Sequence, residues 1–153
     1  MTDALEIYFK QEHDEAPIIV QSEAELDAAL DQFAADEPGV RALAQLAWRD
    51  DPWRAVFEIG VYNGETGVLY YSGDSAPEGV TSLGDNADTE LEVWYFVRAD
   101  TEYQRSAEVP FTAVHAAAHE YFRTGGEQPT AVNWRPGMPG GRIFTPDSVD
   151  GGV

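Results

Sequence analysis

Two histidines four residues apart are the first residues of this chain whose spacing could support chemistry. His115 and His119, with Glu120 beside the second, could share a metal ion, because residues four apart lie on one face of a helix. The zinc-protease pattern, however, requires a glutamate directly after the first histidine, where this chain has Ala116. Both histidines also border the apolar stripe of their helix, a common position for half-buried histidines. We therefore predict no metal site and keep a small metal-dependent hydrolase using His115, His119 and Glu120 as an alternative.

The sequence lacks the other common catalytic patterns. It contains no cysteine, which excludes thiolate catalysis, disulfides and zinc bound by cysteine. It contains no GxSxG motif, and Gly125-Gly126 follows a helix-forming stretch instead of opening one, so these glycines do not form a phosphate cradle. The acidic residues around Asp85 do not follow the twelve-residue calcium-loop pattern. The sequence therefore predicts no enzyme, no catalytic residues and no cofactor.

Acidic residues outnumber basic residues in this chain by 28 to 9, which gives a formal net charge of -19. Such a charge repels free nucleic acid and anionic membranes, but it accelerates association with a basic protein. A solvated acidic surface would have the same composition, so both interpretations stay open. No stretch is apolar enough to cross a membrane, and the first residues do not resemble an export signal. We expect a cytoplasmic protein that binds neither membranes nor nucleic acid directly.

Two stretches have the apolar spacing of amphipathic helices. The first begins with Ser22 and Glu25, which form a predicted capping box. The second follows Thr112, a predicted N-cap, and ends at Gly125 or Gly126. The two apolar stripes comprise Leu26, Ala29, Leu30 and Phe33 in the first helix, and Val114, Ala117, Ala118, Tyr121 and Phe122 in the second. Each stripe must face a hydrophobic core.

Runs of alternating apolar residues and short apolar segments predict strands over residues 5–10, 18–21, 40–48, 53–61, 68–72, 90–98 and 130–134. Residues 40–48 are rich in alanine and could instead form a helix, but their alternation favours a strand. Residues 73–89, which are rich in Gly, Pro, Asp and Ser, are predicted to form a long loop. Hairpin connections favour an α+β fold with a mainly antiparallel sheet of about six or seven strands and two amphipathic helices packed on one face. Residues 1–136 would form this single domain, and residues 137–153 a C-terminal tail rich in Gly, Pro and Asp.

The C-terminal third of the chain carries a series of short motifs. They are Val109-Pro110, Ala116 to Phe122, Thr124-Gly125, Gln128-Pro129-Thr130 and Val132-Asn133-Trp134. Together they resemble the C-terminal signature of the first-numbered immunity family of bacterial polymorphic toxin systems. The order of the upstream elements and the segment PIIVQSEAELDAAL support the resemblance. It implies a protein that neutralises a toxin encoded beside it, with a nucleic-acid deaminase as the implied toxin.

The strand predicted over residues 90–98 has large apolar residues on both faces, whereas two helices can cover only one face of the sheet. The outer face of this strand would combine two aromatic anchors with an acidic rim, which suits a basic partner. The predicted partner-binding residues are Asp85, Asp88, Glu90, Glu92, Trp94 and Phe96. The alternative is that Trp94 and Phe96 belong to the core, beneath a loop or the C-terminal tail.

These observations predict an immunity protein that binds a cognate toxin and blocks its active site or its substrate groove. A toxin that acts on nucleic acid needs a basic surface to hold phosphates, and an acidic protein can compete for that surface. The composition also allows an acidic regulator that mimics DNA, in which the spacing of the acidic residues would have to follow that of phosphates.

Overall fold

The computed structural model describes residues 4–36, 39–51, 53–84, 92–96 and 100–136. Its strands, in chain order, are β1 (Leu5–Tyr8), β2 (Ile18–Val20), β3 (Ala42–Trp48), β4 (Val56–Val61), β5 (Thr66–Gly67), β6 (Leu69–Gly73), β7 (Ala76–Leu83), β8 (Glu92–Phe96), β9 (Asp100–Gln104), β10 (Val109–Pro110) and β11 (Asn133–Pro136). Its helices are α1 (Glu23–Asp36) and α2 (Phe111–Thr124). Short 3-10 turns span Gln11–Asp14 and Arg105–Ala107.

Nine of the described strands form one sheet in which most neighbours are antiparallel. Seven of them follow the order β11-β7-β6-β4-β3-β1-β2. The β8–β9 hairpin joins this sheet through a parallel pairing of Phe96 with Ala42 in β3. The strands β5 and β10 form a separate two-stranded ladder. The fold is therefore α+β with a mainly antiparallel sheet, as the sequence predicts.

Both helices pack into one core through the apolar stripes predicted from the sequence. In α2, the ring of Tyr121 stacks on Phe57 of β4 with the ring centroids 4.3 Å apart. In α1, Phe33 packs against Phe9, with the centroids 5.0 Å apart. The same core contains inward-facing side chains of the sheet, including Leu5, Ile7, Ala44, Leu46 and Ile59. Of the helices in the described residues, none is long and apolar enough to cross a membrane.

The helix ends agree with the sequence-based predictions except at the start of α2. The hydroxyl of Ser22 accepts a hydrogen bond from the Glu25 amide at 3.1 Å, so the predicted cap of α1 is present. The end of α2 is also as predicted, because Gly125 takes the left-handed conformation with φ of 76°. Thr112, however, is not the N-cap, since α2 already begins at Phe111. The Phe111 amide donates a hydrogen bond to the Glu65 carbonyl at 2.9 Å. The segment just before β5 therefore provides the acceptor that a capping side chain would otherwise provide.

The loop predicted over residues 73–89 is the main error in the sequence-based secondary structure. Within it, β7 pairs with β6 on one side and with β11 on the other. Polar residues are accommodated there because they find hydrogen-bond partners. Ser82 is fully buried, but its hydroxyl forms two hydrogen bonds. It accepts one from the Leu69 amide at 2.9 Å and donates one to the Ala107 carbonyl at 2.7 Å. The pairing with β11 also brings Trp134, which is half-buried, to the edge of the core.

The strand predicted from residue 53 begins three residues later, at Val56. Trp53 lies in the preceding turn, and 92% of its surface is exposed. The next residue, Arg54, fastens this turn to the rest of the fold. Its guanidinium donates to the Gly125 carbonyl at 3.0 Å and lies 4.8 Å from the centre of the Trp48 ring. Trp53 is therefore a surface residue and does not continue the apolar face of β4.

The sheet face opposite the helices has two parts, one covered by other residues of the chain and one lined with mostly polar side chains. At one end, Tyr103 and Ala107 are buried with Leu43 and Val68. Across the remainder, a row of mostly polar side chains runs in register over six strands and comprises Tyr8, Gln45, Glu58, Tyr70, Thr81 and Arg135. The helices therefore cover only one face, as expected from the sequence, while β9 and the turn after it cover part of the second face.

Glu58 lies in the middle of this row, where its surroundings change its ionisation. Burial raises the pKa of its carboxyl group, and a hydrogen bond from Gln45 at 3.2 Å offsets part of that effect. A raised pKa in the folded state stabilises the fold fully below the ordinary value of 4.5, and this contribution is lost as the pH rises through the raised pKa. At neutral pH the folded protein therefore bears the cost of an ionised, partly buried carboxylate.

We expect Glu58→Gln to raise the melting temperature at neutral pH, because the amide keeps the hydrogen-bonding shape and removes the buried charge. The gain should shrink as the pH falls through the raised pKa of the wild-type carboxyl, where it takes up its proton, and should be smallest below 4.5. Thermal unfolding followed by circular dichroism across this pH range measures the effect. The exposed Glu65→Gln is the control for net charge, and equal gains in both variants would show that only the total charge matters.

Candidate functional site

The predicted partner-binding residues fall partly within the described structure. Asp85, Asp88 and Glu90 lie outside the described residues, whereas Glu92, Trp94 and Phe96 are positions of β8. In the β8–β9 hairpin, Trp94 pairs with Glu102, and Phe96 pairs with Asp100. The structure therefore brings two acidic positions that sequence reasoning missed into register with the predicted aromatic ones.

A partly buried ion pair and a second polar contact support the segment that follows this hairpin. Glu108, which is 6% exposed, accepts a hydrogen bond from the Arg41 guanidinium at 3.2 Å. The same guanidinium lies 4.1 Å from the centre of the Tyr62 ring. Two residues before Glu108, the Ser106 hydroxyl accepts a hydrogen bond from Arg135 of β11 at 2.8 Å. These contacts join the end of the β8–β9 hairpin to β11 and to the residues that flank β3 and β4. The main sheet therefore fixes the position of the hairpin's end.

A surface groove of about 910 Å³ lies beside the connection between α2 and β11, residues 124–134. Side chains of the surrounding strands hold the backbone of this connection in place. The Tyr71 hydroxyl donates to the Gly126 carbonyl at 2.9 Å, and the Trp134 indole donates to the Pro129 carbonyl at 2.7 Å. This connection contains several of the motifs noted in the sequence, so part of their role is to shape the groove.

A polar cluster joins the outer faces of α1 and α2. The Nε2 atoms of His115 and His119 lie 3.0 and 2.7 Å from the same carboxylate oxygen, Oδ1 of Asp27. The other ring nitrogen of His119, Nδ1, lies 2.7 Å from Oε1 of Glu23. That oxygen also accepts a hydrogen bond from Arg123 at 3.0 Å. The contact with His119 and the charge of Arg123 hold the pKa of Glu23 below its ordinary value, against the opposing effect of desolvation.

Glu120, the third residue of the hydrolase alternative, forms different contacts. Its two carboxylate oxygens accept from the amide and the hydroxyl of Thr130, at 2.8 and 2.9 Å. The carboxylates that contact the two histidines are those of Asp27 and Glu23, and not that of Glu120. Sequence reasoning missed both, because Asp27 lies 92 residues from His119 along the chain. One signal could have indicated them. Glu23 and Asp27 are four residues apart in α1, as the two histidines are in α2, and this spacing places the members of each pair on one face of their helix.

Comparison with known proteins shows the family of this chain. The family model for immunity protein Imm1 matches residues 14–136. The match spans both helices and the described strands from β2 to β11, so it extends well beyond the C-terminal motifs. No curated protein sequence matches the chain. The chain therefore belongs to the Imm1 family of immunity proteins.

Proposed function

We propose that this protein binds and neutralises a cognate toxin of the nucleic-acid deaminase class, by covering its active site or its substrate groove. Membership in an immunity family is the observation that carries the proposal, because it supports a toxin as partner. The net charge of -19 supports a partner with a basic surface. A deaminase must hold a phosphate backbone beside the pocket that receives the base. A protein that occupies that basic surface therefore excludes the substrate.

The proposed mechanism is stoichiometric occlusion without catalysis. The histidines of the hydrolase alternative contact Asp27 and Glu23 between two helices, and its proposed base, Glu120, is engaged by Thr130. The protein's own charge disfavours direct binding to nucleic acid. A toxin that modifies nucleic acid acts in the bacterial cytoplasm, so the proposal places its inhibitor there as well.

We place the toxin contact on the β8–β9 hairpin and the acidic residues that precede it. The proposed residues are Asp85, Asp88, Glu90, Glu92, Trp94 and Phe96. Tyr103, which pairs with Val93, is fully buried. Neighbouring pairs along a ladder alternate between its two faces, so the row of positions that contains Trp94 and Glu102 belongs to the face opposite Tyr103. Aromatic positions among acidic ones suit a basic partner surface.

The test is an inhibition titration with the toxin domain that is encoded next to this gene. The purified domain is mixed with its nucleic-acid substrate and with increasing amounts of the immunity protein. We expect activity to fall linearly and to vanish at an equimolar ratio, because each inhibitor molecule would occlude one toxin molecule in a tight complex.

A polyglutamate of matched net charge is the control for simple competition by negative charge. It should inhibit weakly, and its effect should disappear in moderate salt. Two results would contradict the proposal. Equal inhibition by polyglutamate would show that the protein acts only as a polyanion, and complete inhibition at a small fraction of the toxin concentration would indicate an enzyme.

A further inference from the structure

We propose that Asp27, His115 and His119 form a binding site for a transition-metal ion such as Zn²⁺, and that the bound ion links α1 to α2. This inference concerns a surface that the proposed toxin contact does not use. One nitrogen from each histidine and one oxygen from Asp27 lie within 4.8 Å of one another. Imidazole and carboxylate donors without sulfur suit Zn²⁺, Ni²⁺ or Cu²⁺ better than they suit Mg²⁺ or Ca²⁺.

The distances in the cluster are close to those that a metal requires. In a tetrahedral zinc site with metal–ligand bonds of about 2.0–2.1 Å, neighbouring ligand atoms are about 3.3 Å apart. Both nitrogen–oxygen contacts to Asp27, at 3.0 and 2.7 Å, are already slightly shorter. No two of the three ligand atoms are more than 4.8 Å apart, so the widest separation has to close by at most about 1.5 Å. The side chains of Asp27 and His115 are 52% and 35% exposed, so both have room to make this adjustment.

Each ring nitrogen of His119 faces a carboxylate oxygen, an arrangement that a bound metal ion or an imidazolium can satisfy and a neutral imidazole cannot. Both of its ring nitrogens lie 2.7 Å from a carboxylate oxygen. A carboxylate only accepts, and a neutral imidazole carries a single N–H, so neutral His119 can satisfy one of these two contacts. A metal ion removes the conflict, because Nδ1–H then donates to Glu23 while Nε2 and the Asp27 oxygen both bind the ion. His115 Nε2, which approaches the same oxygen, becomes the third ligand.

Glu23 and Arg123 supply the supporting contacts that protein metal sites use. A histidine that binds a metal usually donates its second N–H to a carboxylate, which fixes the tautomer and the orientation of the ring. Glu23 is placed for this role beside His119 Nδ1, and Arg123 binds the same oxygen of the Glu23 carboxylate. The His119 side chain is 12% exposed, so packing restrains it as well. Three protein ligands leave the fourth position of the metal for water.

The test uses the full-length protein without a histidine tag, stripped of metal by a chelator. Calorimetric titration with Zn²⁺ at neutral pH should show one ion bound per chain, with an affinity on the order of a hundredfold above that for Mg²⁺. The comparison with Mg²⁺ measures non-specific binding to the 28 acidic residues. Zn²⁺ should also raise the melting temperature, since it binds ligands that only the folded state brings together.

Matched variants separate this site from general negative charge. Asp27→Asn and His119→Gln should each weaken Zn²⁺ binding by about tenfold or more. Asp31→Asn removes the same charge from an exposed residue one turn further along α1 and should bind Zn²⁺ like the wild type. Melting of the metal-free variants establishes that they fold. Ring-nitrogen NMR signals of the wild type should shift on Zn²⁺ addition at His115 and His119, and not at His13.

Three results would overturn the proposal. The first is wild-type protein that binds no stoichiometric Zn²⁺, in which case the cluster is a bridge through a doubly protonated His119. The second is an Asp31→Asn protein that loses as much affinity as Asp27→Asn, because the binding would then follow total charge. The third is a set of NMR shifts confined to His13.

Discussion

Replacing Tyr121 with alanine should cost about 3–5 kcal/mol of the free energy of unfolding, which is a large share of what a domain of this size has available. Tyr121 is fully buried at the centre of the core. Its ring stacks on Phe57 with a centroid distance of 4.3 Å and lies 5.9 and 6.3 Å from the rings of Trp48 and Tyr71. Truncation would leave a cavity between α2 and the sheet, and urea unfolding followed by circular dichroism measures the loss.

Tyr121→Phe is the matched control, because it keeps the ring and removes only the hydroxyl. That hydroxyl is buried near the Trp48 indole, but it forms no hydrogen bond of good geometry with the described residues. Burial raises its pKa, so it also stays neutral in the folded protein. The phenylalanine variant should therefore be as stable as the wild type or more stable. If it loses as much stability as the alanine variant, a hydrogen bond of the hydroxyl, and not ring packing, holds α2 in place.

Trp94→Ala should raise the dissociation rate of the toxin complex about thirtyfold, which corresponds to about 2 kcal/mol. The proposed face places Trp94 beside Phe96, in register with the acidic positions Glu102 and Asp100. An indole at the centre of a protein–protein interface supplies much of the binding energy, while the charges around it mainly set the association rate. The association rate should accordingly fall as salt is added, for the wild type and the variant alike. Kinetics of the surface-bound toxin domain across a salt series measure both rates.

Trp53→Ala is the control for this experiment, since it removes an indole that is 92% exposed from the other end of β3. It should leave both the kinetics and the melting temperature unchanged. Faster dissociation with Trp53→Ala and normal binding with Trp94→Ala would move the contact to the turn before β4. A Trp94→Ala protein that binds normally but melts earlier would assign Trp94 to the core.

The helices of this fold could be predicted from the sequence, because each one carries an apolar stripe and a clear local signal at one of its ends at least. The capping hydroxyl of Ser22 and the left-handed Gly125 act on the nearest turn of helix, and the apolar stripes follow the helical repeat. Strands with simple alternation, such as β1 and β4, could be predicted for the same reason. These signals depend only on neighbouring residues.

The features that sequence reasoning missed depend on partners far away along the chain. β7 pairs on one side with β11, which lies far along the chain, and the hydroxyl of its buried Ser82 bonds to Leu69 and Ala107. The contact of Asp27 with His119 joins residues 92 positions apart. The pairing that adds acidic positions beside Trp94 exists only once the β8–β9 hairpin has formed. Local propensity contains none of this information.

The order of strands in the sheet has a consequence for when a cell becomes protected. β3, β4, β6 and β7 are neighbours in the sheet in nearly the order in which the ribosome makes them, so this meander can form early from contacts that are close in sequence. The helix that carries Tyr121 is made later, and β11 pairs with β7 only after residue 136 has been synthesised. Until then an apolar face of the nascent sheet is exposed, which favours aggregation. Completion of the sheet, and with it any resistance that depends on the folded domain, therefore has to wait until residue 136 has been translated.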